Sequence, residues 1–341
     1  SSPFVSVIVA ARNEERNIQS LLDCLIRQNY SDYEIIIIDD RSNDRTAEII
    51  RSVQTTDKRL SLLSITTADP EMPAKKNALS AGIRTAKGGI LVFTDADCRP
   101  QSNWIRRMVG AFDDNVGLVA GFSPYDPGML SAASSFPLYW LFQSFIRYEE
   151  LKGALWSWGS IEADKGWLCT GRNLAYRKKV WDEVGGFEKI RHSISGDDDL
   201  FLQLVRRLTT WKIAYVGAPD SQVPTSPPES FGEFLEQRKR HFSAARYFPF
   251  GMKAFFTAFH GSNLLLYCGL IASLFGTPEA LWLFGLKSAV DLLFIWIGSA
   301  RLGTAPPVGS FLFMEIVYVV YNALVGPLGL FGSFKWKPQT T

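Results

Sequence analysis

Pairs of carboxylates follow two apolar runs in the first third of the chain. Asp39 and Asp40 come directly after four consecutive isoleucines, and Asp95 and Asp97 follow the run Leu-Val-Phe-Thr. A buried strand ends in paired acids where a cation or hydrogen-bond donors compensate the charge. An Asp-x-Asp there can direct two carboxylates at a divalent ion and leave its other positions open to phosphate oxygens. Turns favour Asp in any case, so the hypothesis depends on the two pairs occupying corresponding positions.

A third acidic cluster, Asp197 to Asp199, precedes a leucine-rich helical pattern. Three successive aspartates are not all comfortably ionised unless some face solvent, so we expect the crowding to raise the pKa of one of them, as a general base needs. The alternative is that these acids lie in the first turn of the following helix and interact with its dipole.

Alternating apolar and helical patterns indicate the elements that would position these acids. From Val5 to Ser123, short apolar runs alternate with helical patterns of ten to fifteen residues, which is typical of an α/β protein with a parallel sheet covered on both faces. The predicted strands are Val5–Ala11, Glu34–Asp40, Leu60–Ile65, Ile90–Asp95 and Val116–Gly121. Since ligands bind at the carboxyl ends of such strands, we expect the acids to meet at one rim of the sheet.

Two ligand classes are disfavoured. Residues 10–15 after the first strand read Ala-Ala-Arg-Asn-Glu-Glu and contain no glycine, so a dinucleotide fold that holds pyrophosphate on a glycine turn is disfavoured. The net charge of +2 lacks the basic excess of proteins that neutralise a nucleic-acid backbone, so no nucleic-acid partner is expected.

The last third of the chain is apolar. Residues 252–334 hold only 6 charged side chains among 83 residues, and the apolar runs are long enough to cross about 30 Å of hydrocarbon. We therefore expect a globular domain over residues 1–250, followed over residues 251–337 by about three transmembrane or re-entrant segments. The predicted segments are 254–275, 280–300 and 308–331.

Charged residues constrain how these segments can cross the membrane. Lys287 and Asp291 are four residues apart, so they share a helical face and can neutralise each other. Basic residues just before residue 254 place the globular part on the cytoplasmic side by the positive-inside tendency. Three full crossings would then leave Lys335 and Lys337 outside, so the path of the last segment stays open.

An aromatic stretch over residues 124–168 is too short and broken to span a membrane. One hypothesis is an amphipathic element that lies on the membrane and brings a lipid acceptor to the site. The alternative is ordinary core packing.

Four more short motifs occur along the chain. They are Lys-Lys-Asn-Ala-Leu-Ser-Ala-Gly at 75–82, Thr-Gly-Arg-Asn at 170–173, Ser-Gly-Asp-Asp-Asp-Leu at 195–200 and Gln-Arg-Lys-Arg-His at 237–241. With residues 5–15, 39–44 and 95–97, this order of motifs over residues 4–245 resembles the inverting family 2 glycosyltransferases, which have a Rossmann-like GT-A fold. The appended apolar segments are similar to those of membrane-bound branches of that family.

The resemblance implies roles for individual residues. The catalytic residues would be Asp197, Arg238 and Arg240, with both arginines as donors to a diphosphate. The residues that bind substrate or nucleotide would be Ala10, Arg12, Glu14, Asp40, Lys75, Asp95, Asn173 and Gln237. Asp97 and Asp95 would hold Mg²⁺ or Mn²⁺. The alternative for the two arginines is that they form a basic helix end that lies against lipid headgroups. The alternative for Lys75 is that it is an exposed lysine at a helix start, and Lys76 could equally bind the substrate.

The chain departs from the family pattern at three positions. Gly196 replaces the usual Glu of the catalytic motif, so its register is taken from Leu200, and that register selects Asp197 as the base. His241 replaces a Trp, and Arg172 is unusual in the acceptor-side turn.

The resemblance implies an integral membrane enzyme that moves a sugar from a nucleotide-diphosphate sugar, by default a UDP-sugar, to a lipid or lipid-linked acceptor. We expect it in the inner membrane of a bacterium, with the catalytic domain facing the cytoplasm and membrane lipids as partners. One alternative is a processive polysaccharide synthase, although three segments are few for a translocation channel. A second is a catalytically silent membrane adaptor, which the intact acids argue against.

Overall fold

Seven strands form one mixed sheet in the order β3-β2-β1-β4-β6-β5-β7. The protein was analysed as a computed structural model, which describes residues 2–129, 139–273, 275–276 and 279–330. The strands are β1 (Val5–Ala11), β2 (Tyr33–Asp40), β3 (Leu60–Ile65), β4 (Ile90–Phe93), β5 (Val116–Gly121), β6 (Leu174–Arg177) and β7 (Lys212–Val216). The first four run parallel, whereas β6 pairs antiparallel with both β4 and β5.

Eleven helices occur in the described residues. They are α1 (Ile18–Ile26), α2 (Thr46–Gln54), α3 (Ala74–Thr85), α4 (Trp104–Gly110), α5 (Tyr139–Glu162), α6 (Lys178–Val184), α7 (Asp199–Leu208), α8 (Phe231–Ser243), α9 (Phe250–Ser273), α10 (Glu279–Arg301) and α11 (Phe311–Leu330).

Helices cover the sheet on both faces, which explains why its central strands are apolar throughout. All seven residues of β1 are buried, as are the four isoleucines of β2. On one face the core comes from α3, α6 and α7, and on the other from α1, α2 and α4. The predicted mostly parallel sheet with flanking helices is confirmed.

The register brings the ends of three strands to one edge. Ala11 of β1 pairs with Asp39 of β2, and Ile8 of β1 pairs with Phe93 of β4. The predicted strand Ile90–Asp95 ends at Phe93, so Asp95 and Asp97 lie in the turn that follows it. Strands β6 and β7 were not predicted, because each is short and lies outside the regular alternation of the first half.

Three helices at the end of the chain, α9, α10 and α11, are long and apolar enough to cross a membrane. Only 6% and 11% of the most apolar windows of α9 and α10 are buried within the molecule, against 39% for α11. The last helix therefore packs against the rest of the protein, where Tyr321 contacts Phe145 of α5 and Phe234 of α8 at ring-centroid distances of 5.3 and 5.7 Å.

Three charged side chains of α10 and α11, Lys287, Asp291 and Glu315, are joined by ion pairs. Lys287 Nζ lies 2.7 Å from Asp291 Oδ2, which confirms the predicted pair, and 2.7 Å from Glu315 Oε2 of α11. Glu315 also accepts hydrogen bonds from Tyr148 and Lys152 of α5.

Helix α5 occupies most of the predicted interface element 124–168. Phe142 is buried and meets Phe234 at a ring-centroid distance of 5.7 Å, whereas Trp140 is 68% exposed. One face of α5 is thus ordinary core, and one aromatic side chain remains available to a membrane surface. Residues 130–138 of this element lie outside the described residues, as do Lys335 and Lys337 after the last apolar segment.

Candidate active site

A polar cavity of about 130 Å³, here called the rim cavity, lies at the carboxyl edge of the sheet. It is lined from the end of β1, the turn after β4, the start of α3, the segment before α7 and helix α8. Eight of the predicted site residues line it, namely Ala10, Glu14, Lys75, Asp95, Asp97, Asp197, Gln237 and Arg240. Segments far apart in sequence therefore converge on one basin.

Lys75 links two of the acidic motifs. Its Nζ lies 3.0 Å from Asp95 Oδ1 and 3.0 Å from Asp197 Oδ2. Burial alone would lower the pKa of Lys75, but the two carboxylates reverse that effect and raise it. Burial likewise acts to raise the pKa of Asp197, and Lys75 together with Lys76 holds it below its usual range. Asp197 is therefore an ionised carboxylate that can accept a proton.

The neighbouring acids Asp198 and Asp199 have structural roles. Asp198 Oδ1 accepts from the backbone N–H of Asp199 at 2.7 Å, and its Oδ2 accepts from that of Gly171 at 3.0 Å. Asp199 Oδ1 accepts from the backbone N–H of Cys169 at 2.7 Å. Burial first, and the adjacent aspartate second, raise the pKa of both side chains. The expected rise in pKa thus falls on Asp198 and Asp199 and not on the predicted base, because only Asp197 reaches Lys75.

Gly196 has a conformational reason to replace the Glu of the family motif. Its φ of +86° lies in the region that residues with a side chain rarely adopt. A Cβ at this position would lie 2.5 Å from Leu200 Cγ. The turn that presents Asp197 to the cavity therefore requires glycine.

The turns after β1 and β2 are joined by hydrogen bonds. Asn13 and Arg41 have φ values of +53° and +56°, so each turn passes through a left-handed residue. The backbone N–H of Asn13 donates to Ser42 Oγ at 3.0 Å, and that of Asn43 donates to Asn13 Oδ1 at 2.9 Å. This pairing fixes the turn that carries Glu14 into the rim cavity.

Asp40 and Arg12, which are predicted to contact the nucleotide, do not line the rim cavity. Asp40 is 1% exposed, and its carboxylate lies 2.8 Å from Arg41 Nε and 3.5 Å from Arg12 Nη1. A carboxylate buried this deeply requires compensating cations, and both arginines are used for that purpose. The expected convergence holds for Asp97 and Asp197 but not for Asp40.

Asn173, which is predicted to contact substrate, is fully buried. Its Nδ2 donates to the carbonyls of Phe122 and Ser221 at 2.8 and 3.0 Å, and its Oδ1 accepts from Trp104 Nε1 at 2.9 Å. The amide joins three segments of the fold. A buried amide must satisfy its hydrogen bonds, and here it does so within the protein.

The two adjacent lysines at the start of α3 have different environments. Lys76 is 0% exposed, and its Nζ donates to the carbonyls of Ile190, Ser193 and Ser195 at 2.9, 2.6 and 2.9 Å. Burial lowers its pKa to about 8. Of the two lysines, only Lys75 lines the cavity.

A second cavity of about 150 Å³, here called the inner cavity, lies beside the first. Helix α5 contributes Glu149 and Glu150 to its wall, and α8 contributes Arg238. Arg238, which is predicted to donate to the diphosphate, forms ion pairs with both glutamates and does not line the rim cavity. Sequence reasoning missed both glutamates, although two adjacent acids in an apolar aromatic stretch were a signal.

The donor set of the rim cavity fits a divalent ion that is completed by its substrate. Asp95 and Asp97 offer carboxylate oxygens, the ligands that Mg²⁺ prefers. In the described part of the chain no group of three or more His, Cys, Asp or Glu side chains forms a ready-made metal cage. Two carboxylates leave most coordination positions for water and phosphate oxygens, as in sites that bind Mg²⁺ together with a phosphate ester.

Known proteins match this chain across the catalytic part. Residues 6–179 match Glycosyl transferase family 2. Glycosyltransferase AglE of Haloferax volcanii is 31% identical over 242 residues, which cover 70% of this chain and 71% of that protein. The beta-monoglucosyldiacylglycerol synthase of Trichormus variabilis is 34% identical over 233 residues, which cover 65% of this chain but only 45% of that protein.

Among solved structures, the mannosyltransferase PcManGT from Pyrobaculum calidifontis, in complex with GDP-Man and Mn²⁺, has a TM-score of 0.54 at 21% identity. The similarity covers 94% of this chain and 88% of that one, and it concerns the fold. The predicted GT-A fold is thereby confirmed. The family match over residues 6–179 and the order of the acidic motifs show that this chain belongs to glycosyltransferase family 2 and is a glycosyltransferase.

Proposed function

We propose that this protein transfers a sugar from a nucleotide-diphosphate sugar to a lipid or lipid-linked acceptor, with inversion at the anomeric carbon. The observation that carries the proposal is the meeting of Asp95, Asp97 and Asp197 around Lys75 in the rim cavity. Glycosyl transfer needs a group that meets the growing charge of the leaving diphosphate and another that accepts a proton. The cavity contains candidates for both.

The transfer is a displacement at the anomeric carbon. The bond from this carbon to the diphosphate oxygen breaks, and its electron pair leaves with the diphosphate. The acceptor oxygen forms the new bond from the opposite face, and its proton passes to Asp197. The ionised state of Asp197 suits this role, which contributes about 10²–10⁴-fold to the rate.

The leaving group would be held by metal and by cationic side chains. Asp97 and Asp95 would hold Mg²⁺ or Mn²⁺, which supplies electrostatic stabilisation of the leaving diphosphate. Arg240 lines the same cavity and is placed to donate to diphosphate oxygens, whereas Arg238 is committed to Glu149 and Glu150. Ala10 and Glu14, at the end of β1, would contact the nucleotide.

A membrane setting is supported by the three apolar helices. Helices of this length and composition are favoured to associate with a membrane. We place the catalytic part on the cytoplasmic side of the cell membrane because Arg240, Arg246 and Lys253 stand at the start of the first apolar helix. The relative named as a glycolipid synthase supports a lipid acceptor.

The test is nucleotide release from a panel of UDP- and GDP-sugars by the purified full chain in lipid vesicles. We expect turnover with Mg²⁺ or Mn²⁺ and loss of turnover with EDTA. Asp97→Asn should reduce turnover at least 100-fold, and Asp182→Asn, a matched change at an exposed residue outside both cavities, should change it less than twofold. Full turnover by Asp97→Asn would contradict the proposal, and a ladder of products would indicate a processive synthase.

A further inference from the structure

The inner cavity lies between the catalytic sheet and the apolar helices. Its wall includes Gly153 and Ser157 of α5, and Trp156 of the same helix packs against Phe259 of α9 at a ring-centroid distance of 4.7 Å. Trp167 meets Phe255 of α9 at 4.5 Å. Helix α5 therefore borders both the inner cavity and the apolar helix α9.

The inner cavity adjoins the rim cavity. The two share five lining residues, namely Thr170, Arg172, Ser195, Asp198 and His241. Asp197 lines the rim cavity and adjoins Asp198 in the chain. A group held in the inner cavity is thus next to the segment that carries Asp197.

The cations of the inner cavity are already paired with carboxylates. Arg172 Nη2 lies 2.6 Å from Glu150 Oε1. Arg238 lies 3.2 Å from Glu150 Oε2 and also forms an ion pair with Glu149. These four side chains are only 9–12% exposed, so solvent does not weaken the pairs as it does at a surface.

The donors of this wall do not suit a phosphate. The guanidiniums of Arg172 and Arg238 are both already engaged with the carboxylates of Glu149 and Glu150. A phosphate group requires donors that are not engaged with other anions, and here a bound phosphate would meet carboxylates instead.

We propose that the inner cavity binds the acceptor and selects an uncharged, hydroxyl-bearing headgroup, a glycerol or a sugar, over a lipid phosphate. This inference rests on the proposed function. Hydroxyls can donate to the glutamate carboxylates and accept from the guanidiniums, so they fit the existing pairs without disrupting them. The acceptor hydroxyl attacks the anomeric carbon, the bond to the diphosphate breaks, and the hydroxyl proton goes to Asp197. A phosphate acceptor would need no such base.

Burial raises the pKa of Glu149 to about 7, despite the nearby Arg238. A carboxyl that is partly protonated near neutral pH both donates and accepts hydrogen bonds, which suits a hydroxyl-rich group. Glu149 also lines the wall of the inner cavity, so its carboxyl group is placed to contact such a headgroup.

The test compares three acceptor probes with the wild-type full chain in vesicles: diacylglycerol, glucosyl-diacylglycerol and dolichyl phosphate. The first offers a glycerol hydroxyl, the second sugar hydroxyls and the third a phosphate oxygen. We expect a kcat/KM for diacylglycerol or glucosyl-diacylglycerol at least 100-fold above that for dolichyl phosphate. A comparable kcat/KM for dolichyl phosphate, or transfer to none of the three, would overturn the inference. Donor binding is measured in parallel by calorimetry with the nucleotide sugar and Mn²⁺, and its absence would overturn the proposed function instead.

Glu150→Gln provides a second test within the cavity wall. Removing this charge frees Arg172, so the ratio of kcat/KM for the neutral lipid to kcat/KM for dolichyl phosphate should fall at least 10-fold. Glu162→Gln is the matched control, since Glu162 is an exposed residue of the same helix outside the cavity, and it should leave the ratio unchanged. An unchanged ratio in a folded Glu150→Gln protein would argue against the inference, and the wild-type panel decides if that variant does not fold.

Discussion

Lys75 and Lys76 show how two adjacent, identical residues acquire different functions. Consecutive residues of a helix point about 100° apart, so Lys75 faces the rim cavity while Lys76 points into the fold. Lys75 forms ion pairs with Asp95 and Asp197, and Lys76 donates hydrogen bonds to three backbone carbonyls. Substitutions at the two positions should therefore have distinct effects.

Lys75→Met should shift the acidic limb of the pH profile of kcat/KM to higher pH. Lys75 lowers the pKa of Asp197, so its removal raises that pKa, and the carboxylate needed as base forms only at higher pH. Steady-state kinetics over a pH range that extends below the usual pKa of an aspartate measure the shift in both proteins. Lys179→Met, a change at an exposed lysine, is the control. An acidic limb that does not move would show that Asp197 is not the titrating base.

Lys76→Met should destabilise the fold and shift the acidic limb less than Lys75→Met does, because Lys75 lowers the pKa of Asp197 more than Lys76. It leaves three backbone carbonyls, two of them fully buried, without their donor, at a cost of about 1–3 kcal/mol for each acceptor that finds no water. Thermal unfolding in detergent measures the loss. A Tm equal to that of the wild type would contradict the structural role.

The carboxylates after β2 and β4 could be predicted because a polar residue that directly follows a buried strand is a local pattern. The burial of the Asp40 carboxylate could not be predicted, since its pairing with Arg12 and Arg41 depends on how two turns pack against each other. The direction of Asn173 likewise depends on β5 and α4 packing around it. Residue types alone do not determine which polar side chains are buried in internal hydrogen bonds and which line the cavity.

At the scale of elements, the antiparallel strand β6 joins the two parallel parts of the sheet. Asn173 stands just before it and binds the carbonyl that follows β5 and the Trp104 side chain of α4. A Cβ on Gly121, at the end of β5, would lie 2.5 Å from Asn173 Nδ2, so the amide fills the space beside that strand. The amide thus supports the sheet beside the site.

Asn173→Ala should lower stability by at least about 2 kcal/mol, because it leaves a buried indole N–H and two carbonyls unpaired. KM for the nucleotide sugar should change less than threefold in the protein that remains folded. Chemical denaturation gives the first quantity and nucleotide release the second. A large increase in KM with unchanged stability would instead place Asn173 in the binding site.

Five of the seven strands follow from hydrophobic runs and their spacing, because these strands are buried and regularly separated by helices. Strands β6 and β7 contain only four and five residues, and β6 pairs antiparallel between β4 and β5. Such an insertion depends on long-range pairing. Sequence periodicity therefore predicted the parallel half of the sheet better than the mixed half.

At the scale of the whole molecule, a buried charge cluster links the catalytic part to the apolar helices. Glu315 of α11 is 1% exposed and accepts from Tyr148 and Lys152 of α5 and from Lys287 of α10. The same helix α5 carries Glu149 and Glu150 in the inner cavity. The cluster therefore fixes the position of the cavity wall relative to the apolar helices.

Glu315→Leu should destabilise the protein by about 3–5 kcal/mol, because Lys152 loses its carboxylate partner in a buried setting. Lys287 retains Asp291 at 2.7 Å. Adding Lys152→Met to Glu315→Leu should thus recover part of the loss. Thermal unfolding in detergent compares both variants with Glu279→Leu, a control at the exposed start of α10. Equal Tm values for Glu315→Leu and Glu279→Leu would refute this role of the cluster.

The most direct test of the account separates donor binding from sugar transfer. Calorimetry with the nucleotide sugar and Mn²⁺, together with the rate of transfer, is measured for the wild type, Asp97→Asn and Asp197→Asn. We predict that Asp197→Asn binds the donor within a few-fold of the wild type but transfers at least 100-fold more slowly, because it lacks only the base. Asp97→Asn should lose metal-dependent binding itself. Transfer at the wild-type rate by Asp197→Asn would contradict the central claim that this rim of the sheet performs the chemistry.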